Sequence, residues 1–270
     1  MNAFESIKHF YRPLQPSVAT DGKQVIYQEV LPEASLQYFV YCFWQLKTSK
    51  KLDAPFVYRV VSDGCIDIFF NQNVTSESFV MGFCRKYAEF PIGNEFNYIG
   101  IRFLPSVFPL VFNIDAKALS NQDQKLRGIL PDIARSITEK IHPNQEFTTV
   151  VKQLHQIVAP FILNINFDFD NRFYKALHLI FKTSGNIETE NGLDTGLSPR
   201  QLRRLFNYYI GTTPKAFGKV VRFQHFLNMK PSTQSLKSQK LFYDVGFYDQ
   251  AHFIKDFKTF YGVTPSRALK

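Results

Sequence analysis

Two stretches in the last third of the chain are written to one plan, and that plan leaves little freedom in how this part can fold. Each begins with a residue suited to cap a helix, continues with apolar residues at helical spacing, and stops at Gly-x-Thr-Pro. In the first, Ser198 precedes Pro199, and Gln201 stands three residues on to complete a capping box. Leu202, Leu205 and Phe206 form its apolar stripe. In the second, Asp249 is the capping residue, and Phe253, Phe257 and Phe260 are the buried face. Gly211 and Gly262 suit left-handed helix stops, and Pro214 and Pro265 can each open the next helix.

The faces left to solvent carry a second message. Arg200, Arg203, Arg204 and Asn207 fall opposite the first stripe, while Gln250, His252, Lys255 and Lys258 lie outward of the second or near its start. From Asn171 to Lys270 there are 16 basic and 6 acidic residues, so the formal surplus of +9 lies wholly in the last hundred positions. Such asymmetry points to a polyanion partner for this segment. An apolar-backed helix fronted by Arg, Gln, Asn and Lys suits a DNA major groove, where Arg bonds guanine and Gln or Asn bonds adenine bidentately. One such helix alone reads first as a solvated face. Two of them inside a strongly basic segment favour DNA.

The residues before this segment change period. Gln24–Val30, Leu36–Leu46, Phe56–Val61, Cys65–Asn71, Phe79–Phe83 and Tyr98–Leu104 read as strands, with Ser62-Asp63-Gly64 as a hairpin turn. Leu126, Ile129, Ile133 and Ile137 then recur at helical spacing, as do Phe147, Val151, Leu154, Val158 and Phe161. The second stripe is long enough to pack on the strands or to meet another chain. Asn164–Asn171 is the expected connector. The fold class is therefore α+β. A β-rich barrel or sandwich is expected over 1–120, a helical connector over 121–170 and an all-α segment over 171–270.

From about Arg172 to Lys270 the chain resembles the DNA-binding domain of the AraC/XylS family of bacterial transcription regulators. LSPRQLRRLF is similar to the family's first recognition helix, and GFYDQAHFIKDFKTFYGVTPS to the signature of its second unit, nearly residue for residue. The resemblance implies two helix-turn-helix units joined by a helix from Pro214 to Met229, with Phe217, Val220, Val221 and Leu227 inward and Arg222 at a basic family position. On this reading Arg200, Arg203, Arg204, Gln250, His252 and Lys255 meet bases, and Ser198, Asn207, Lys258 and Arg267 meet phosphates. The supporting helices depart from the family pattern. Asn191 and Gly192 replace the usual Leu or Ile followed by Ala, and Phe242 follows Leu241 where a small residue is usual. Further upstream, VSDGCIDIFFN and IGIRFLPSVFPLVF look similar to a class of N-terminal sensor domains related to cupin-like barrels.

Other classes are set aside. The longest apolar run, Tyr38–Leu46, is far short of the ~20 residues a membrane helix needs, and the first residues lack a secretory pattern. Cys42, Cys65 and Cys84 have no metal-binding spacing, and no strand carries paired histidines. A cytoplasmic chain with reduced thiols, no metal and no cofactor is expected. Asp67 and Arg102 each interrupt an apolar strand, which calls for a structural ion pair, with Arg59 a second candidate partner. The alternative is that Arg59, Asp67 and Arg102 touch an effector inside the barrel. Tyr38, Phe43, Trp44 and Phe103 read first as core and second as a pocket wall. His252 has no nucleophile or carboxylate partner beside it, and alkyl-acceptor chemistry would need an activated cysteine, so no enzyme is expected. The reading is a sequence-specific transcription regulator. Its partners are double-stranded DNA, a small-molecule effector and a second copy as homodimer, with no membrane. The alternative is a small-molecule or protein-binding module whose helix-turn-helix units bind DNA weakly.

Overall fold

The computed structural model describes residues 3–16, 24–165, 169–189, 193–238 and 241–269. Helix α1 (Ala3–Phe10) precedes strands β1 (Val25–Val30), β2 (Val40–Thr48), β3 (Val57–Val60), β4 (Ile66–Asn71), β5 (Val74–Met81), β6 (Ala88–Pro91) and β7 (Asn97–Phe103). A short β8 (Asp123–Lys125) completes an open antiparallel sheet in the order β1-β2-β7-β4-β5-β8, and β3 pairs with β6 as a separate ribbon. Period-two alternation assigns the faces. Ile66, Ile68 and Phe70 of β4 join Ile99, Ile101 and Phe103 of β7 in the main core. Trp44, Leu46, Tyr58 and Phe96 form a smaller cluster on the other face, where the ribbon lies.

The Ser62-Asp63-Gly64 turn is not a hairpin. Its flanking strands β3 and β4 belong to different sheets, so the turn carries the chain from ribbon to sheet. Residues 61–65 are buried because the helical half packs on them. The tight hairpin is β4–β5, closed where Asn71 pairs with Val74.

Helices α2 (Val107–Phe112), α3 (Ala116–Leu119), α4 (Leu126–Ile129), α5 (Pro131–Lys140) and α6 (Phe147–Leu163) follow. The buried face of α6 is Phe147, Val150, Leu154, Ile157, Val158 and Ile162, rotated slightly from the stripe read in the sequence, while Phe161 is 37% exposed. This face packs within the chain's own core, with Leu154 wholly buried. Of the two roles open to this stripe, packing within its own chain is the one the structure shows.

The last segment holds α7 (Asn171–Lys182), α8 (Pro199–Ile210), α9 (Pro214–Asn228), α10 (Thr233–Ser238), α11 (Leu241–Asp244), α12 (Gln250–Tyr261) and α13 (Pro265–Ala268). Asn191 and Gly192 lie outside the described residues, and no helix is described between α7 and α8. The main core runs unbroken from strands to helices. Phe217 of α9 packs 6.5 Å from Phe83 and 5.6 Å from Phe181, and Phe181 lies 4.7 Å from Tyr11 between ring centroids. Gln224 of α9 accepts from Leu14 N at 2.8 Å and donates to Leu14 O at 3.3 Å and Ser62 O at 2.8 Å. The turn and the N-terminal arm are thus hydrogen-bonded to α9, which follows α8 and leads toward α12.

Candidate functional site

Helix α8 starts as its sequence dictates. Ser198 Oγ accepts from Gln201 N at 3.3 Å, and Gln201 Oε1 accepts from Ser198 N at 3.0 Å, which closes the capping box. Leu202, Phe206 and Ile210 are buried, and Arg200, Arg203 and Arg204 are exposed. Asn207 is half-buried, and Ser198 keeps only its hydroxyl proton to offer a phosphate. Gly211 ends the helix at φ 90°, where a Cβ would fall 2.3 Å from Ser120 Oγ and 2.8 Å from Ala116 O. Glycine therefore serves both the left-handed stop and the close approach of α3.

Helix α12 is capped by Asp249, whose Oδ1 accepts from His252 N at 2.7 Å. Gln250, Lys255 and Lys258 are exposed, as is Arg267 on α13. His252 is only half-exposed. Its Nε2 lies 3.2 Å from Asp256 Oδ2, and Asp256, 7% exposed, also pairs with Lys219 Nζ of α9 at 3.2 Å. His252 therefore does have a carboxylate partner, contrary to the expectation from the sequence, because the i,i+4 spacing brings Asp256 onto the same helix face. Phe242 fits behind this helix by stacking on Phe253 at 5.7 Å and 17°, which accommodates a large ring where a small residue is usual.

Arg222 is a brace. Its Nη2 donates to Gly185 O at 2.9 Å in the first unit and its Nη1 to Gly246 O at 3.1 Å in the second, with the guanidinium 5.4 Å over Phe247. Burial pushes its pKa below the usual arginine value, partly offset by Asp256. A groove of about 330 Å³ runs beside it, lined by Lys215, Lys219, Arg222 and His252. A second groove of about 230 Å³ shares Lys215 and reaches Arg203. The lysines of α9 were missed because their helix read as a core connector, although K-x-x-x-K at 215 and 219 places both on one face.

Among the described residues, the side chains of Arg200, Arg203, Arg204, Gln250 and Lys255 make no hydrogen bond or ion pair. The two helices therefore present exposed Arg, Gln and Lys side chains that nothing within the described chain engages.

A second site lies in the β half. Asp67 and Arg102 are direct cross-strand neighbours in the β4–β7 register. Arg102 donates from Nη2 to Asp67 Oδ2 at 2.9 Å and from Nε to Asp67 Oδ1 at 3.2 Å. Asp63 and Glu29 lie 3.5 and 3.7 Å from the same guanidinium. Trp44 Nε1 donates to Asp67 Oδ2 at 3.0 Å, and its indole lies over Gly100, where any Cβ would clash at 2.3 Å. Burial raises the Asp67 pKa, Arg102 lowers it and Asp63 raises it again, for a result of about 6. Asp67 and Arg102 both line a cavity of about 200 Å³ between the large sheet and the ribbon, with Trp44, Tyr58, Phe69 and Phe90.

Arg59 is not part of this site. Strand alternation turns Tyr58 and Val60 to the cavity and Arg59 away, where it pairs with Glu89 at 2.6 Å and lies 5.6 Å over Tyr87. Tyr38, Phe43 and Phe103 are likewise absent from the lining, and Phe43 and Phe103 are fully buried core. Burial raises all three thiols above the ordinary cysteine value, with Cys84 pushed up to about 12.

Residues 194–270 match the family described as a helix-turn-helix domain, and residues 28–125 match a domain of unknown function, DUF6597. No curated protein matches the chain. Among solved structures, an apo variant of ToxT from Vibrio cholerae is 12% identical, with 91% of this chain and 96% of that chain covered and a TM-score of 0.42. ToxT from Vibrio cholerae O395 bound to (E)-4-(8-methylnaphthalen-1-yl)but-3-enoic acid is 13% identical, covering 82% and 98% with a TM-score of 0.39.

Proposed function

We propose that this chain, whose residues 194–270 are an AraC-type helix-turn-helix domain, is a sequence-specific transcription regulator that reads double-stranded DNA without catalysing a reaction. The observation that carries this reading is the pair of capped helices, α8 and α12, whose Arg200, Arg203, Arg204, Gln250 and Lys255 are exposed and unengaged. Two such helices joined by α9 suit successive major-groove faces about 10 base pairs apart. Arg200, Arg203 and Arg204 read one half-site, and Gln250 and Lys255 the other. Lys258, Arg267 and Asn207 serve phosphates, and Lys215 and Lys219 extend that positive track across α9. His252 contributes through its edge, held by Asp256.

In this scheme residues 1–120 sense, 121–170 connect and 171–270 read. The effector site is the cavity between sheet and ribbon, where the Asp67–Arg102 pair and Asp123 are the charged groups in a mostly apolar lining. No described helix is long and apolar enough to cross a membrane.

The test begins with genomic fragments selected by the full chain, followed by affinity measurements on a selected and a random duplex across a salt series. Arg204→Ala should cost roughly 1–3 kcal/mol on the selected duplex and relax preference at particular positions. Lys258→Ala should weaken both duplexes alike and reduce the salt slope by about one unit. Equal weakening of both duplexes by Arg204→Ala would make that arginine a phosphate contact. Absence of binding even at low salt would overturn the reading.

A further inference from the structure

We propose that the cavity between the six-stranded sheet and the β3–β6 ribbon takes a small organic cation, an arylalkyl ammonium being the simplest form. This deepens the effector-site reading above and rests on it.

The walls are the first argument. Trp44, Tyr58, Phe69, Phe79, Phe90 and Tyr98 all line the cavity. Aromatic faces carry the negative end of the ring quadrupole, so a cage of rings attracts a cation and gains nothing comparable from an anion. The second argument is the charge balance. Asp67 and Asp123 are in the lining, and Asp63 and Glu29 press on Arg102 from its other sides. One guanidinium thus stands among three carboxylates, and Asp123 adds a fourth to the cavity lining. Its Nε and Nη2 are committed to Asp67, and Nη1, which has no hydrogen bond, faces Glu29 at 3.7 Å.

An incoming carboxylate would have to approach Arg102 beside carboxylates that already outnumber it. An ammonium would instead meet Asp67 at the floor and Asp123 at the exposed rim, and would relieve the surplus negative charge. Burial first, with Asp63 adding to it, outweighs the guanidinium and raises the Asp67 pKa, and a cation beside this carboxylate would oppose that shift. The cavity, of about 200 Å³, is at the small end for ligand sites, which fits a single ring on a short chain.

The only tryptophan of the sequence, Trp44, lines the cavity and donates to Asp67, so its emission reports on occupancy. The full chain is titrated with phenethylammonium and benzyltrimethylammonium, and in parallel with neutral phenylpropanol and anionic phenylpropanoate, by Trp44 fluorescence and calorimetry. Saturable binding of the cations is expected, with the neutral and anionic probes weaker by roughly tenfold or more, the weight of one desolvated charge contact. Asp67→Asn should remove most of the preference for the cations, and Asp123→Asn a smaller part. A melting curve shows whether Asp67→Asn folds. If it does not, the probe series on the unaltered chain and on Asp123→Asn decides. Tighter binding of phenylpropanoate, or equal binding of phenylpropanol and phenethylammonium, would overturn the cation assignment while leaving the cavity as a ligand site. If no probe of any charge binds at millimolar concentration, the cavity itself fails as an effector site, and the DNA measurements stand apart.

Discussion

In the β half, the Arg102 guanidinium is 1% exposed and surrounded by Asp67, Asp63 and Glu29, whereas in the helical half Arg200, Arg203 and Arg204 stand in solvent against no carboxylate. The contrast extends to the interiors. The β half places a charge cluster beside an aromatic-walled cavity, while behind α12 the packing is ring on ring, with Phe226, Phe242, Phe247 and Phe257 all around Phe253. A charge taken out of water must be matched by its own chain, so it becomes part of the fold and discriminates what can enter beside it. A charge left in solvent contributes little to folding, and its full field remains available to a polyanion.

The sharpest way to break this comparison is to remove an arginine from each half. Arg102→Ala should destabilise the chain by about 3–5 kcal/mol, because Asp67 and Asp63 would stay buried without their cation. Arg204→Ala should move stability by less than about 0.5 kcal/mol. Urea unfolding of the two variants decides, and equal effects would erase the distinction.

A smaller effect comes from pH. With the folded-state pKa of Asp67 at about 6, above the ordinary carboxylate value, the folded chain holds a proton that the unfolded chain has already released. The stability this supplies is fully present below the ordinary carboxylate pKa and is lost as pH rises through about 6. Urea midpoints taken between about pH 4 and pH 7 should show this decline in the unaltered chain and not in Asp67→Asn. No comparable decline should arise from the arginine-bearing face of α8.

Next in size is Arg222→Met, which removes the brace between the two helix-turn-helix units. Two carbonyls lose their donor, for a cost of roughly 1–3 kcal/mol. Hydrogen exchange should show the loss centred on Gly185 and Gly246, leaving the β half protected. The smallest expected change is Ser198→Ala, about 1 kcal/mol for a lost helix cap, read as a lower melting temperature.

The parts of the fold that follow local rules were legible in the sequence. Both recognition helices, their caps and their glycine stops came from side chains within four residues of one another, and α9 ends within a residue of where the resemblance placed it. What local pattern could not reveal was pairing at long range. The Asp-Gly turn carried a hairpin signal, yet β3 pairs with β6 about thirty residues on, and β6 is only four residues long. Arg59 could not be separated from Arg102 as a partner of Asp67 until the sheets were assigned, since that choice depends on which strand lies beside β4. The stripe on α6 was visible, but whether its own chain or another would cover it was a matter of tertiary packing. The cavity lining is dispersed over seven strands, and of its residues the sequence singles out only Trp44, Asp67 and Arg102.

Gln224 gives the final consequence. A single amide holds Leu14 at both its backbone groups and Ser62 at its carbonyl, while Asn228, one turn further on, donates to Arg12 O at 2.8 Å. Regulators built from a sensor and a reader invite recombination, in which one module is exchanged for a relative's. Here the seam does not follow the sequence boundary. Helix α9 is laced to an arm at the far end of the chain and to the turn between β3 and β4. A chimera cut near residue 170 would therefore lose these backbone partners unless the foreign reader kept an amide at position 224 and at position 228.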